Sequence, residues 1–393
     1  MPKLVRFAFV LLAACDGAGP VPDAGSDAAA DAPAHLEAGL DADAAPAPAL
    51  TPSGPLDLSD AGDASFTGLH VTSDAGPCVH IDGVSNVTIT ASEIGPCAGN
   101  AVEISNADAI TISDSYIHPE HEAAGCCDSA DGVFATDTTN LTLQGNVIAF
   151  GEANIELTAA MHVHVVGNFL LNPQNAGSRG QNFQAWSNVT DVLVQGNYAL
   201  SSMDAQYKYP EKQEDSINFG FADQIVAKDN YVTGGHSPSG CGIIADEAAT
   251  NVQFLDNVLV DTGQCGISIA SGTNQIVDGN KIINSTPVQG GGNTGLVVWS
   301  QYPDACGPVT VSNNVSSELK PDLVTESGYW NGGGCDPVTL TNDTFDAPAR
   351  AALTPVAQKL PPPLVPPTPV ACAPATPWTT QTAPPCWSPP SAQ

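Results

Sequence analysis

The chain has 393 residues, with ten Lys and Arg against 42 Asp and Glu, a formal charge of −32 and a pI near 4.1. A phosphate-binding face needs clustered cations, so this balance argues against nucleic acid and makes any polyanion awkward unless a cation intervenes. Gly (37) and Pro (33) are abundant and aromatics are 6%, which suits short strands and turns; the length fits two ordinary domains or one elongated repeat body.

The N-terminus opens with Lys3 and Arg6, continues through an apolar run from Phe7 to Leu12, and closes on Leu12-Ala13-Ala14-Cys15. That run is much shorter than the roughly 20 residues that cross a bilayer, so it reads as a processing signal over residues 1–14. The closing tetrad resembles the lipobox of bacterial lipoproteins. The resemblance implies that Cys15 becomes the lipidated first residue and that the protein sits in the cell envelope, at the outer membrane or cell surface. Residues 15–56 are Ala, Asp, Pro and Gly with almost no bulky apolar side chain, and predict a disordered acidic tether. Residues 57–347 form the body. Residues 348–393 are Pro-rich, and predict an extended tail pinned by a Cys372–Cys386 pair.

Within the body one pattern recurs: two apolar residues at i and i+2, then a polar residue three positions later. Val87 and Ile89 lead to Ser92, Ile110 and Ile112 to Ser115, Leu141 and Leu143 to Asn146, and Val163 and Val165 to Asn168. The column continues through Asn197, Asn230, Asn257, Asn280, Asn314 and Asp343, at intervals of 22 to 34 residues. Period-2 alternation argues for strands, and a fixed local pattern at variable spacing argues for a solenoid with loops of variable length. Stacked coils about 4.8 Å apart would let each Asn amide bond the next coil at a tight bend. The pattern resembles the right-handed parallel β-helix repeats of the pectate-lyase-like superfamily over residues 66 to 346. It implies an all-β, single-stranded β-helix of about ten coils. The superfamily's architecture serves lyases, hydrolases, epimerases and non-catalytic proteins alike, so it leaves activity open.

A second strand in each coil reads Gly or a polar residue, then apolar-x-apolar, as in Val102-Glu103-Ile104, Ile155-Glu156-Leu157 and Ile267-Ser268-Ile269. The apolar members are expected inside and the middle residue outside. Cys241 and Cys265 each lie two residues before such a triplet, which places them one above the other and predicts a disulfide. With Cys15 set aside, ten cysteines remain, and Cys78–Cys97 and Cys306–Cys335 are about one coil apart. Cys126 and Cys127 are left to pair with each other.

Candidate chemistry falls in the middle coils. Asn154, Glu156, Asn182, Gln184 and Asn218 read as an outward polar column, with Trp186 beside it. A flat polar sheet bordered by an aromatic ring fits a sugar chain. Arg179, Lys208 and Lys212 bring rare cations to two adjoining loops, next to Glu214 and Asp215, and His236, Asp246 and Glu247 follow. As a polysaccharide lyase, the protein would use Lys208 or Arg179 as base or uronate clamp, with Asp215, Glu214, Asp246 or Glu247 holding a cation such as Ca2+. As a glycoside hydrolase it would need two carboxylates across the bond. The alternative is a non-catalytic surface protein whose rod binds glycan or a protein partner. A second cluster, His118-Pro119-Glu120-His121-Glu122 with Cys126, Cys127, Asp128 and Asp131, reads as structural or substrate contact before metal. The expected state is a monomer.

Overall fold

The computed structural model of the protein describes residues 50–60, 62–119, 130–173, 180–201, 214–235 and 237–357. The chain winds through three walls, and every pairing between named strands is parallel. The front wall holds the apolar-x-apolar triplets, such as Val102–Ser105, Val133–Thr136 and Ile155–Thr158. The side wall holds the strands that precede the polar markers, such as Asp108–Ser113 and Thr139–Gln144. The back wall runs through twelve strands, from Thr51–Ser53 to Thr344–Phe345. Phe183–Gln195 and Ile217–Lys228 cross from front to side wall as single long strands, so these two walls join into one sheet.

The side chains sort as the period-2 pattern requires. Ile110, Ile112, Leu141, Leu143, Val163 and Val165 are fully buried, and the residues between them face out. Each such side chain contributes about 1.5–3 kcal/mol of burial, so a one-residue slip, which would turn a whole ladder to solvent, is heavily disfavoured. Phe183, Phe219 and Phe254 continue the interior with centroids 5.5 and 5.9 Å apart.

The polar markers occupy the bend between side and back walls and form one uninterrupted ladder. The main-chain N–H of Asn146 donates to Asn168 Oδ1 (2.9 Å), that of Asn168 to Asn197 Oδ1 (2.8 Å) and that of Asn197 to Asn230 Oδ1 (3.0 Å). The series begins at Ser92 on Ser115 (3.1 Å) and ends at Asn314 on Asp343 Oδ1 (2.8 Å). Each inner Asn also turns its amide nitrogen onto a carbonyl of the preceding side-wall strand, as Asn197 does on Val165 O (2.9 Å). The buried bend therefore leaves these groups satisfied.

Disulfides join Cys78 to Cys97, Cys241 to Cys265 and Cys306 to Cys335, with Cα separations of 5.4, 4.5 and 4.3 Å. Cys241 and Cys265 are register partners on adjacent coils, as their place before the triplets requires. Cys15, Cys126, Cys127, Cys372 and Cys386 lie outside the described residues.

Both ends depart from the sequence expectation. Among the described residues, winding is already under way at Thr51–Ser53 and Leu56–Asp57, at the end of the stretch read as tether, where backbone pairing with the next coil and the packing of Leu56 on the core hold it. The segment read as the start of the tail is a helix, Asp346–Ala357. Pro348 sits in its first turn, where a missing N–H costs nothing. Ala349 and Leu353 are buried, and Arg350 donates to Ser285 Oγ (3.1 Å) and Asn284 O (2.9 Å). The helix thus packs against the back wall, mainly on Val315–Glu318, with Thr344–Phe345 and Lys281–Asn284 beside it. No helix among the described residues is long and apolar enough to cross a membrane.

Candidate functional site

On the front wall the middle residues of the triplets stack in register: Phe134, Glu156, Gln184, Asn218, then Ile244, Ser268, Val297 and Trp330. Two positions further along each strand, Thr158, Trp186, Gly220 and Asp246 form a parallel column. Trp186 lies across Gly220, where a Cβ would come within 2.5 Å of the indole, and its ring meets Phe221 edge-on at 5.4 Å. Gly220 is therefore required for the close approach of this aromatic to the next coil.

Asn154 and Asn182 are corrected. Both are 0% exposed and face inward at the bend between back and front walls. Asn154 Nδ2 donates to Asn182 Oδ1 (2.9 Å) and Leu171 O (3.1 Å), and Asn182 Nδ2 donates to Ser216 Oγ (2.9 Å). On several other coils the same register position is glycine. A Cβ on Gly242 or Gly266 would come within 2.5 Å of Leu259 Cδ2 and 2.3 Å of Ile282 Cγ2, respectively. Asn154, Asn182 and Ser216 are a second internal ladder beneath the site, and they do not line it.

Glu156, Gln184 and Asn218 do share the outer column, but Gln184 and Asn218 are nearly buried. Asn218 Nδ2 donates to Asp215 Oδ2 (3.0 Å) and Asp246 Oδ2 (3.5 Å), so two carboxylates of adjacent coils converge on one amide. Burial is the main cause that pushes the Asp215 carboxyl up to about 7, with the Asp246 charge adding to it. Its Oδ1 accepts from Cys241 N–H (2.8 Å). The same device recurs lower down, where Asp131 Oδ1 accepts from Ala153 N–H (2.9 Å) and Asn100 Oδ1 from Asp131 N–H (2.8 Å). Asp215 thus caps a backbone N–H of the next coil, as Asn100 and Asp131 do. Burial, followed by the charges of Glu156 and Glu152, raises Asp131 to about 8. Tyr302 hydrogen-bonds Asp246, and burial together with that carboxylate keeps its hydroxyl above the ordinary tyrosine range. Gln181 Oε1 and Nε2 and Asn218 Oδ1 are buried and find no hydrogen-bond partner among the described residues.

Beyond Asn218 the column forms the floor of a groove of about 330 Å3 that the sequence reading missed. Ile244, Ser268 and Val297 form the floor, and the Cys241–Cys265 bridge with Thr294 one edge. Trp299 and Trp330 close the other side, their rings 5.8 Å apart and tilted by 54°. Lys320 reaches the rim, donating from Nζ to Gly292 O (2.6 Å) and Thr294 Oγ1 (3.2 Å). Trp299 follows the triplet Leu296-Val297-Val298 as Trp186 follows Phe183-Gln184-Ala185, so one more residue of the repeat would have found it.

Arg179, Lys208 and His236 lie outside the described residues. Glu214, Asp246 and Glu247 are described, and no group of three or more His, Cys, Asp and Glu among the described residues is placed to hold a metal ion. His118 has Nε2 3.5 Å from Glu93 Oε1 and its ring stacked on Tyr116 at 4.3 Å, while residues 120–129 of its cluster are outside the described set.

Residues 56–208 match the family described as right handed beta helix region. The chain is a right-handed parallel β-helix. The search of curated proteins gives no match. Among solved structures, DFA-IIIase from Arthrobacter chlorophenolicus A6 is 13% identical, covering 68% of each chain at a TM-score of 0.45. The A-module of the mannuronan C-5 epimerase AlgE4 of Azotobacter vinelandii is 11% identical over 74% of this β-helix chain and 89% of its own, with a TM-score of 0.42. The Streptococcus pneumoniae surface adhesin PfbA is 12% identical over 77% and 71%, with a TM-score of 0.43. These likenesses concern the winding of the chain, and what those proteins act on stays with them.

Proposed function

We propose that the protein is an envelope lipoprotein that holds an extended polysaccharide along its front wall. The observation that carries this reading is the single outward column that passes from Glu156, Gln184 and Asn218 into the groove under Trp299 and Trp330. Trp186 and Trp299 occupy equivalent positions four coils apart, about 19 Å at the spacing of stacked strands. Hydrogen-bonding groups between two aromatic platforms suit a chain of sugar rings, which presents hydroxyls at its edges and C–H faces to the indoles.

Glycosidic hydrolysis is the second reading. Asp215, held near neutral pH by burial, and Asp246 share Asn218, and a bond-cleaving pair needs one protonated and one ionised carboxyl. The capping role of Asp215 favours binding over this reading. The lyase roles of Lys208 and Arg179 and a Ca2+ held by the acidic loops stay with that proposal as its variants.

Affinity electrophoresis of the purified protein in gels containing different polysaccharides tests binding, with reducing ends and unsaturated ends followed in parallel. Retardation without new ends is the expected result. New ends that vanish in Asp246→Asn with retardation kept would replace binding by catalysis. Anchoring rests on Cys15: Cys15→Ala is expected in the soluble fraction or uncleaved, and detergent partitioning with normal processing would refute the lipid anchor.

A further inference from the structure

The groove at the C-terminal end of the site differs in character from the carboxylate-lined coils before it. Its walls are two indoles and a disulfide, and its floor is Ile244, Ser268 and Val297. At about 330 Å3 it lies at the small end of ligand sites, with room for a short stretch of sugar rings. Trp330 is 46% exposed, so its face is presented to solvent. The indole folds over Gly332, where a Cβ would lie 2.4 Å from the ring and 2.7 Å from Trp299 Cβ. Gly332 is the extra residue where the pairing register shifts between Val298 and Trp299, and its lack of a side chain lets the two rings meet there.

Charge narrows the class of ligand. From Glu152 to Glu247 the sequence carries eleven Asp and Glu against four Lys and Arg. The carboxylates of Asp246, Glu247 and Asp215 act on Tyr302, whose neighbour Gln301 lines the groove. Lys320 is the groove's single cation among the described residues, and it is already committed: it pins the Gly292 carbonyl and the Thr294 hydroxyl that shape the rim, and its charge acts on the buried carboxyl of Glu318. A ligand with a carboxylate on every ring would meet repulsion along the column and one engaged lysine at its end.

We infer that the groove between Trp299, Trp330 and the Cys241–Cys265 bridge is a binding subsite for an uncharged glycan, held by stacking on the two indoles. It rests on the reading of the front wall as a glycan track, and selects within it against polyuronates. The sugar's hydroxyls meet Ser268, Gln264 and Gln301, and the C–H faces meet the rings.

The test is tryptophan emission of the full-length mature protein titrated with neutral oligosaccharides of glucose, xylose and fructose and with hexuronate oligomers. A neutral oligomer is expected to shift the emission, with an affinity that changes less than about twofold between 50 and 500 mM salt. Hexuronate oligomers are expected to bind at least about tenfold more weakly at the low salt. Trp330→Ala should weaken the neutral ligand about tenfold, whereas Trp330→Phe, which keeps a ring, should stay within about threefold. Because Trp330 is half-exposed, its truncation leaves the interior ladders intact, and the melting curve of each variant verifies this. Tighter hexuronate binding that weakens as salt rises would overturn the inference and keep the glycan track. Neutral binding that is indifferent to both Trp330→Ala and Trp299→Ala would overturn the groove as its place. No binding of either class, by emission or by gel retardation, would overturn the glycan reading and the inference together.

Discussion

Asn230→Ala probes whether the polar ladder is a source of stability or only a marker of the bend. The Asn230 side chain accepts from the Asn197 backbone N–H and from Asn197 Nδ2, both at 3.0 Å, and donates to Val194 O (2.9 Å) and Asn257 Oδ1 (3.0 Å). Truncation leaves the Asn197 N–H and one of its amide hydrogens without an acceptor and removes a donor from Val194 O. Asn257 Oδ1 keeps the bond from the Asn230 backbone N–H (3.1 Å). A buried polar group left unpaired costs about 1–3 kcal/mol, and a trapped water recovers part of it, so the loss should come to about 4 kcal/mol. Asn251→Ala is the matched control. Its amide bonds Asp223 Oδ1 (2.6 Å) and accepts from Asn274 (3.0 Å), but the residue is exposed and water replaces both partners. Its cost should stay within about 1–2 kcal/mol, which the positive φ of 52° there, unfavourable to Ala, accounts for. Urea unfolding followed by far-ultraviolet circular dichroism compares the two. Equal midpoints for both variants would refute the idea that the buried ladder holds adjacent coils together.

Asp131 and Asp215 have folded-state pKa values raised to about 8 and 7 from 3.8, so the folded protein holds protons that the unfolded chain releases. Their contribution is full below about pH 4 and is lost as pH rises through 7 to 8; Asp131→Asn, which keeps the acceptor for Ala153 N–H, should therefore raise stability at pH 9 by up to about 5 kcal/mol and change it little at pH 4. Melting temperatures across that range check this, and a parent protein equally stable at pH 5 and pH 9 would contradict it. Replacing both Cys241 and Cys265 by Ser opens a link of 24 residues and should cost about 3 kcal/mol, less what the stacked strands already constrain. Urea midpoints measure the loss, and non-reducing peptide maps should recover the pair in one fragment; an unchanged midpoint would show that the register alone holds these coils.

The walls, the marker ladder and the Cys241–Cys265 disulfide were legible in the sequence because each depends on a repeat whose local period is constant, whereas Cys78–Cys97 and Cys306–Cys335 were legible only from their spacing of about one coil. A period of two sets which side chains enter the core, and a fixed offset from each triplet sets which cysteines lie above one another. The same rule misplaced Asn154 and Asn182, since the chain bends at that position and turns inward a residue that a straight strand would turn out. Their equivalents on several other coils are glycines, a sign that the site is crowded, but a polar side chain there looks no different from a solvated one. Asp215 likewise stood out as a charge in a charged loop, and only the stacked coils reveal that it caps Cys241 N–H. Trp299, Trp330 and Lys320 meet across coils separated by loops of unequal length, so their distance along the chain says nothing of their distance in space. What the repeat determined was the frame. Which outward residues converge into a site was decided by the register of coils whose connecting loops follow no period.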